Sequence, residues 1–294
     1  MRYNAGEVIT AMITPFDENL KVDYAALEKL VNHLIKTGSD AILVAGTTGE
    51  CPTLTHEEEW DVLRFVLKTV NNRVKVIMGT GSNCTETAIM TAKKAEELGA
   101  DAILTVVPYY NKPNQRGMIA HFGAVAESVK LPIILYNIPG RTGVNMQPAT
   151  IAELANKYKN IVAVKQSNGD LDLISDMKKL CPSDFAIYSG DDSLTLPMMS
   201  LGATGVISVA SHVIGKEIKE MITLFKNGEV QKALEKHLEN YDFFKKIFMC
   251  PNPIPIKEAL SKMGIIKNYL RLPLVNMTEA EKADFYAVAN KYIK

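Results

Sequence analysis

Short apolar runs separated by longer amphipathic stretches set the rhythm of this chain. Aliphatic, β-branched runs occur at 8–12 (VITAM), 41–45 (AILVA), 74–79 (VKVIMG), 102–106 (AILTV), 132–136 (PIILY), 161–165 (IVAVK), 185–189 (FAIYS) and 204–209 (TGVISV), starting 19 to 33 residues apart. Apolar stretches of this length, with little polar alternation, match strands covered on both faces. The segments between them, such as YAALEKLVNHLIKTG and ETAIMTAKKAEELGA, carry apolar residues at i, i+3, i+4 and i+7 and predict helices. Gly38 and Gly99 follow two of these helices, where a left-handed residue ends the last turn. Thr55 and Glu58 have the spacing of a capping box that opens another.

Eight strand–helix units of this length predict a closed parallel sheet wrapped in helices, an α/β fold of the (β/α)8 TIM barrel type. An open doubly wound sheet also alternates strand and helix, but no G-x-G-x-x-G follows the first strand here. After residue 228 the strand pattern stops, and EVQKALEKHLENYDFFKKIFM, PIKEALSKMG and TEAEKADFYAVANKYI all read as helices. The expected organisation is a catalytic barrel over 1–227 and an appended C-terminal helical segment over 228–294, separated by the turn at Asn227-Gly228. That segment either caps the barrel or builds an oligomer contact.

Composition narrows the function classes. The chain has 294 residues, 47% hydrophobic and 22% charged, enough for one large core. Lysine plus arginine and aspartate plus glutamate are both 33, so no basic excess points to nucleic acid, and a formal charge of zero favours association. Cys51, Cys84, Cys181 and Cys250 are too far apart for a zinc site or a disulfide framework. The start, MRYNAGEVITAMITPF, lacks a signal-peptide core, and no stretch of about 18 apolar residues suggests a membrane span. A cytoplasmic location with reduced thiols is expected. HEEEW has no second histidine at helical spacing, so no metal is expected, and no phosphate-binding G-x-x-x-x-G-K-[ST] loop is present.

A parallel barrel carries its active site at the carboxyl ends of its strands. Strand 6 ends in Lys165, and lysine is seldom buried. Either its stem snorkels to water, or its amine serves as a nucleophile, since burial favours the neutral form that can attack a carbonyl. Strand 5 ends in Tyr136, whose hydroxyl can move protons, and Arg141 follows within YNIPGRTG, where a guanidinium can grip a carboxylate. GTTGE at 46–50 after strand 2 suits an anion facing backbone N–H groups, or is a plain tight turn. Glu50 reads as an internal hydrogen-bond partner as readily as a catalyst. Tyr109 and Tyr110 read as packing or interface residues.

Taken in order, GTTGE, PYYNKP, YNIPGRTG, VAVK and GVISV resemble the dihydrodipicolinate synthase family, within the pyruvate-dependent class I aldolases, over the whole chain. The resemblance implies condensation of pyruvate with L-aspartate 4-semialdehyde in lysine and diaminopimelate biosynthesis, through a Schiff base on Lys165 and with no other cofactor. It implies that Tyr136 carries protons, linked through Thr47 to Tyr110, which reaches the neighbouring subunit's site. It further implies that Thr47 and Thr48 bind the pyruvate carboxylate, that Arg141 receives the semialdehyde's carboxylate, and that Gly190 and Ile207 line the pocket. The implied assembly is a homotetramer, a dimer of dimers. His56, Asn83 and Tyr109 match the positions of a lysine feedback site, although Glu59 and Thr87 depart from the lysine-sensitive pattern. Gln166 stands where relatives often have glutamate, which leaves the aldehyde substrate open. The alternatives are a class I aldolase acting on a sugar keto-acid and a non-catalytic pyruvate-binding protein. The reactivity of Cys51, beside the site loop, is likewise open.

Overall fold

A computed structural model describes residues 3–293 of the chain. Its strands are β1 (Val8–Ala11), β2 (Ala41–Val44), β3 (Lys75–Gly79), β4 (Ala102–Val106), β5 (Ile133–Asn137), β6 (Ile161–Gln166), β7 (Ala186–Ser189) and β8 (Gly205–Ser208). They follow one another in sequence order around a closed barrel. Each strand end falls within one residue of the position expected from the apolar runs. The runs are readable because nearly every strand residue is buried, as a sheet covered on both faces requires. Among the described residues no helix is long and apolar enough to cross a membrane.

The helix signals also hold. Helix Tyr24–Lys36 buries Leu27, Leu30, Val31 and Leu34, the apolar stripe of its sequence. Gly38 and Gly99 take φ of +102° and +90°, a region costly for any residue with a Cβ. Thr55 and Glu58 form the reciprocal capping box at the start of His56–Val70. A second box, Thr278 with Glu281, opens Glu279–Ala289.

The chain gathers into two compact units. One comprises Ile77–Ile207 with residues 3–6, and it carries β4 to β7 with their helices. Within it, strand pairing sets Tyr136 beside Lys165 and Lys165 beside Tyr188. The other unit joins Glu7–Val76 to the chain from Ser208 onward, so the helices after residue 228 belong to the same body as β1 and β2. Asp40 organises that unit just ahead of β2. Its carboxylate accepts the N–H groups of Glu7 and Val8 at 2.8 and 3.0 Å and the Lys219 ammonium at 2.5 Å. The tail helices Val230–Lys246, Ile254–Lys262 and Glu279–Ala289 bury Phe243, Phe244, Ile256, Leu260 and Phe285.

His212 fixes a pH window for this unit. Its Nε2 accepts the Ile13 N–H at 3.1 Å, and its Nδ1 donates to the Val209 carbonyl at 2.8 Å, an arrangement that only the neutral ring can make. Complete burial lowers its pKa to about 4. Above the unfolded value near 6.5 the ring is neutral in both states. As pH falls toward 4 the unfolded chain takes up a proton that the folded chain refuses, so stability drops across that window by about 3 kcal/mol. Thermal midpoints should therefore fall between pH 6.5 and 4, and less so in His212→Gln. An equal decline in the variant would remove His212 as the cause.

Candidate active site

Lys165 lies at the end of β6 and is only 6% exposed. Its Nζ sits over the ring of Tyr136, 4.4 Å from the centroid, and Tyr136 is itself 6% exposed at the end of β5. The strand-end lysine is thus held largely inside the protein with its amine against an aromatic ring, which favours the nucleophile reading over the snorkelling one. Gly190, just past β7, supplies the room. A Cβ there would lie 1.8 Å from Ser167 Oγ and 3.0 Å from Lys165 Cε. Alanine at 190 must therefore push the serine and the lysine aside. Because angstrom-scale misplacement of reacting groups costs about 100-fold, Gly190→Ala should lower kcat/KM by about that factor while the protein stays folded. A near-wild-type kcat/KM would show that the lysine position tolerates the shift.

Asn137 and Ser167, which the sequence does not single out, join Gln166 in the surroundings of Lys165. Asn137 ends β5, and its amide nitrogen donates to Asn145 Oδ1 at 2.7 Å and to Gln166 Oε1 at 3.1 Å. Its Oδ1 accepts the Met146 N–H at 3.0 Å. This pins the loop that carries Arg141, whose side chain is exposed on the short helix Pro139–Thr142. Among the described residues the Gln166 side chain accepts the Asn137 amide, a role that glutamate fills equally well. The Gln166 departure therefore changes the charge behind the lysine and leaves the hydrogen-bond pattern intact. Ser167 Oγ is buried with no hydrogen-bond partner among the described residues.

In the other unit the loop after β2 forms two short 3-10 turns, Thr47–Gly49 and Cys51–Thr53, joined at Glu50. Thr48 is 3% exposed and its hydroxyl accepts from Asn252 Nδ2 at 2.8 Å. Glu50 adopts a left-handed φ of 56°, an uncommon setting for a residue with a side chain. It forms an ion pair with Lys257, also buried, and accepts the Arg271 N–H at 3.2 Å. Between its two sequence readings, Glu50 is the internal partner. Burial, with the Glu59 carboxylate adding to it, pushes the Cys51 thiol up to about 12. That thiol stays protonated and unreactive near neutral pH.

The remaining expected residues lie as follows. Ile207 is fully buried on β8. Tyr110 is 89% exposed on a backbone with φ of 72°, and Tyr109 is 41% exposed. Exposure at this level fits the interface reading of the pair better than the packing one. The Asn83 carbonyl accepts from Asn111 Nδ2 at 2.8 Å. His56 pairs with Glu59 at 2.9 Å and stacks on Trp60. Among the described residues no three of His, Cys, Asp and Glu converge as a metal-holding group.

The 4-hydroxy-tetrahydrodipicolinate synthase 1 of Halalkalibacterium halodurans is 49% identical over 98% of this chain and 97% of its own length. The dihydrodipicolinate synthase crystal structure from Bacillus anthracis superposes with a TM-score of 0.96 at 47% identity, covering 99% of both chains. That of the Cyanidioschyzon merolae enzyme, solved with lysine bound, gives 0.94 at 47% identity over 97% of this chain and 98% of the other. The pattern of the dihydrodipicolinate synthetase family matches residues 4–292. The chain belongs to the dihydrodipicolinate synthetase family.

Proposed function

We propose that this chain condenses pyruvate with L-aspartate 4-semialdehyde through an imine on Lys165, giving 4-hydroxy-tetrahydrodipicolinate. The observation that carries this reading is the buried Lys165 amine at a barrel strand end, set against Tyr136. In its neutral form the amine adds to the keto carbon of pyruvate, and water leaves as the imine forms. The protonated imine withdraws electrons from the adjacent methyl group, which gives up a proton and becomes an enamine. The enamine carbon then attacks the aldehyde carbon, and the aldehyde oxygen takes up a proton. The amino group of the semialdehyde next adds to the imine carbon and displaces the Lys165 amine, which closes the ring and frees the lysine.

Tyr136 is assigned the proton transfers, with Thr47 and Tyr110 as its relay and Tyr110 contributed across a subunit contact. Its exposure in the single chain supports that use. Thr47 and Thr48 are assigned the pyruvate carboxylate, Arg141 the carboxylate of the semialdehyde, and Gly190 and Ile207 the pocket wall. An assembly of two dimers into a homotetramer agrees with this assignment. Arg141, exposed on its short helix, suits a small dicarboxylic adduct, where a sugar chain would need neutral hydrogen-bond partners.

The test is borohydride reduction with pyruvate present, followed by peptide mass analysis and a coupled assay with two aldehydes. Expected is a stable adduct on Lys165 and turnover with aspartate semialdehyde. An adduct elsewhere, no adduct, or turnover only with a sugar aldehyde would overturn the proposal.

A further inference from the structure

Asn252 belongs to the C-terminal part of the chain, yet its side-chain nitrogen is spent on the loop after β2, while its Oδ1 is buried with no hydrogen-bond partner among the described residues. Its Nδ2 donates to Thr48 Oγ1 at 2.8 Å, and the two residues are 9% and 3% exposed. A threonine hydroxyl has one proton to give and two lone pairs to receive. Once the amide N–H occupies a lone pair, the proton is directed away from Asn252 and needs another acceptor. Among the described residues the Thr48 hydroxyl has no second partner. Five residues further on, Lys257 forms the buried ion pair with Glu50, which closes the same turn. One short segment, 252–257, therefore holds the Thr47–Glu50 turn at two points.

We infer that Asn252 is a positioning residue for the keto acid: by donating to Thr48 it turns that hydroxyl into a fixed donor for the substrate carboxylate. The inference rests on the proposed pyruvate reaction. It explains why an amide stands at this position. An aspartate of nearly the same shape would only accept, draw the Thr48 proton to itself and set a negative charge near the incoming carboxylate. A leucine would leave the hydroxyl free to turn either way. The effect belongs to pyruvate capture, because the hydroxyl acts on a carboxylate that takes no part in bond making.

The experiment measures borohydride trapping on Lys165 as a function of pyruvate concentration, together with kcat, in Asn252→Asp, Asn252→Leu, Thr48→Val and the double variant Thr48→Val with Asn252→Leu. A hydrogen bond to a charged group is at stake, so Asn252→Asp and Thr48→Val should each raise the half-saturating pyruvate about ten-fold or more. kcat at saturating pyruvate should change less than about three-fold, since uniform binding is what is lost. In the Thr48→Val background, Asn252→Leu should add less than about two-fold, because the hydroxyl it acts through is gone. Thermal melts report folding, and the near-isosteric Asn252→Asp keeps the test intact if the leucine variant unfolds. Normal capture in Asn252→Asp would mean that Thr48 donates to residue 252 and would overturn the inference. So would normal capture in Thr48→Val, or a leucine effect undiminished in the double variant. Absence of trapping in the wild-type protein would instead refute the pyruvate reaction itself.

Discussion

Lys165→Met is expected to lower the condensation rate by about four orders of magnitude and to abolish the borohydride adduct, while the protein folds normally. Removing a covalent nucleophile leaves only the catalysis supplied by binding and orientation, and losses of about this size or larger follow. The fold should tolerate the change for a local reason. Lys165 is 6% exposed, and its amine lies over the Tyr136 ring with no ion pair among the described residues. Methionine keeps the length and the apolar stem and removes a polar group from a buried place, so the thermal midpoint should be unchanged or slightly higher. The rate is read in the coupled assay and the adduct by peptide mass. Activity within ten-fold of wild type, with a normal melt, would remove Lys165 from the chemistry and with it the proposed mechanism.

The barrel is legible in the sequence because each strand is covered on both faces, so apolar runs such as AILVA and IVAVK stand out without alternation. Lys165 is legible for the complementary reason: a charged residue ends such a run. Helix ends at Gly38 and Gly99 and the box at Thr55 and Glu58 depend on neighbours within four residues, which local pattern reading can detect. The supports of the site do not share that property. Asn252 reaches Thr48 and Lys257 reaches Glu50 across about two hundred residues, and neither side chain carries a local signature of its partner. Asn137 and Gln166 meet only because β5 and β6 pair with these two residues opposite each other. Ser167 and Gly190 are likewise adjacent through the barrel alone. The tail reads correctly as helices, but its polar residues turned toward the loop after β2 cannot be told from solvent-facing ones by periodicity. Glu50 could be read two ways because a turn residue reveals its role only through what it touches.

Lys257→Met is expected to destabilise the protein by about 3–5 kcal/mol, the usual cost of stranding a buried charge. Lys257 is fully buried. Its ammonium pairs with Glu50, donates to the Tyr269 carbonyl at 2.9 Å and lies over the Phe16 ring, 4.2 Å from the centroid. Burial lowers its pKa to about 8, with the Glu50 carboxylate opposing the shift, so the charged form persists at neutral pH through its partner. Removing the lysine leaves the Glu50 carboxylate in a nearly water-free place with the Arg271 N–H as its one remaining hydrogen bond among the described residues. The cost should fall on stability and, through the turn that Glu50 closes, on pyruvate capture. Adding Glu50→Gln to Lys257→Met removes the stranded charge, so the double variant should recover a large part of the loss. Denaturant unfolding of the wild type, both single variants and the double variant closes the cycle, with an expected coupling of about 1–3 kcal/mol. Strict additivity, or a single-variant cost below about 1 kcal/mol, would mean that the pair is solvated in solution. The turn after β2 would then be held by Asn252 and Arg271 without it.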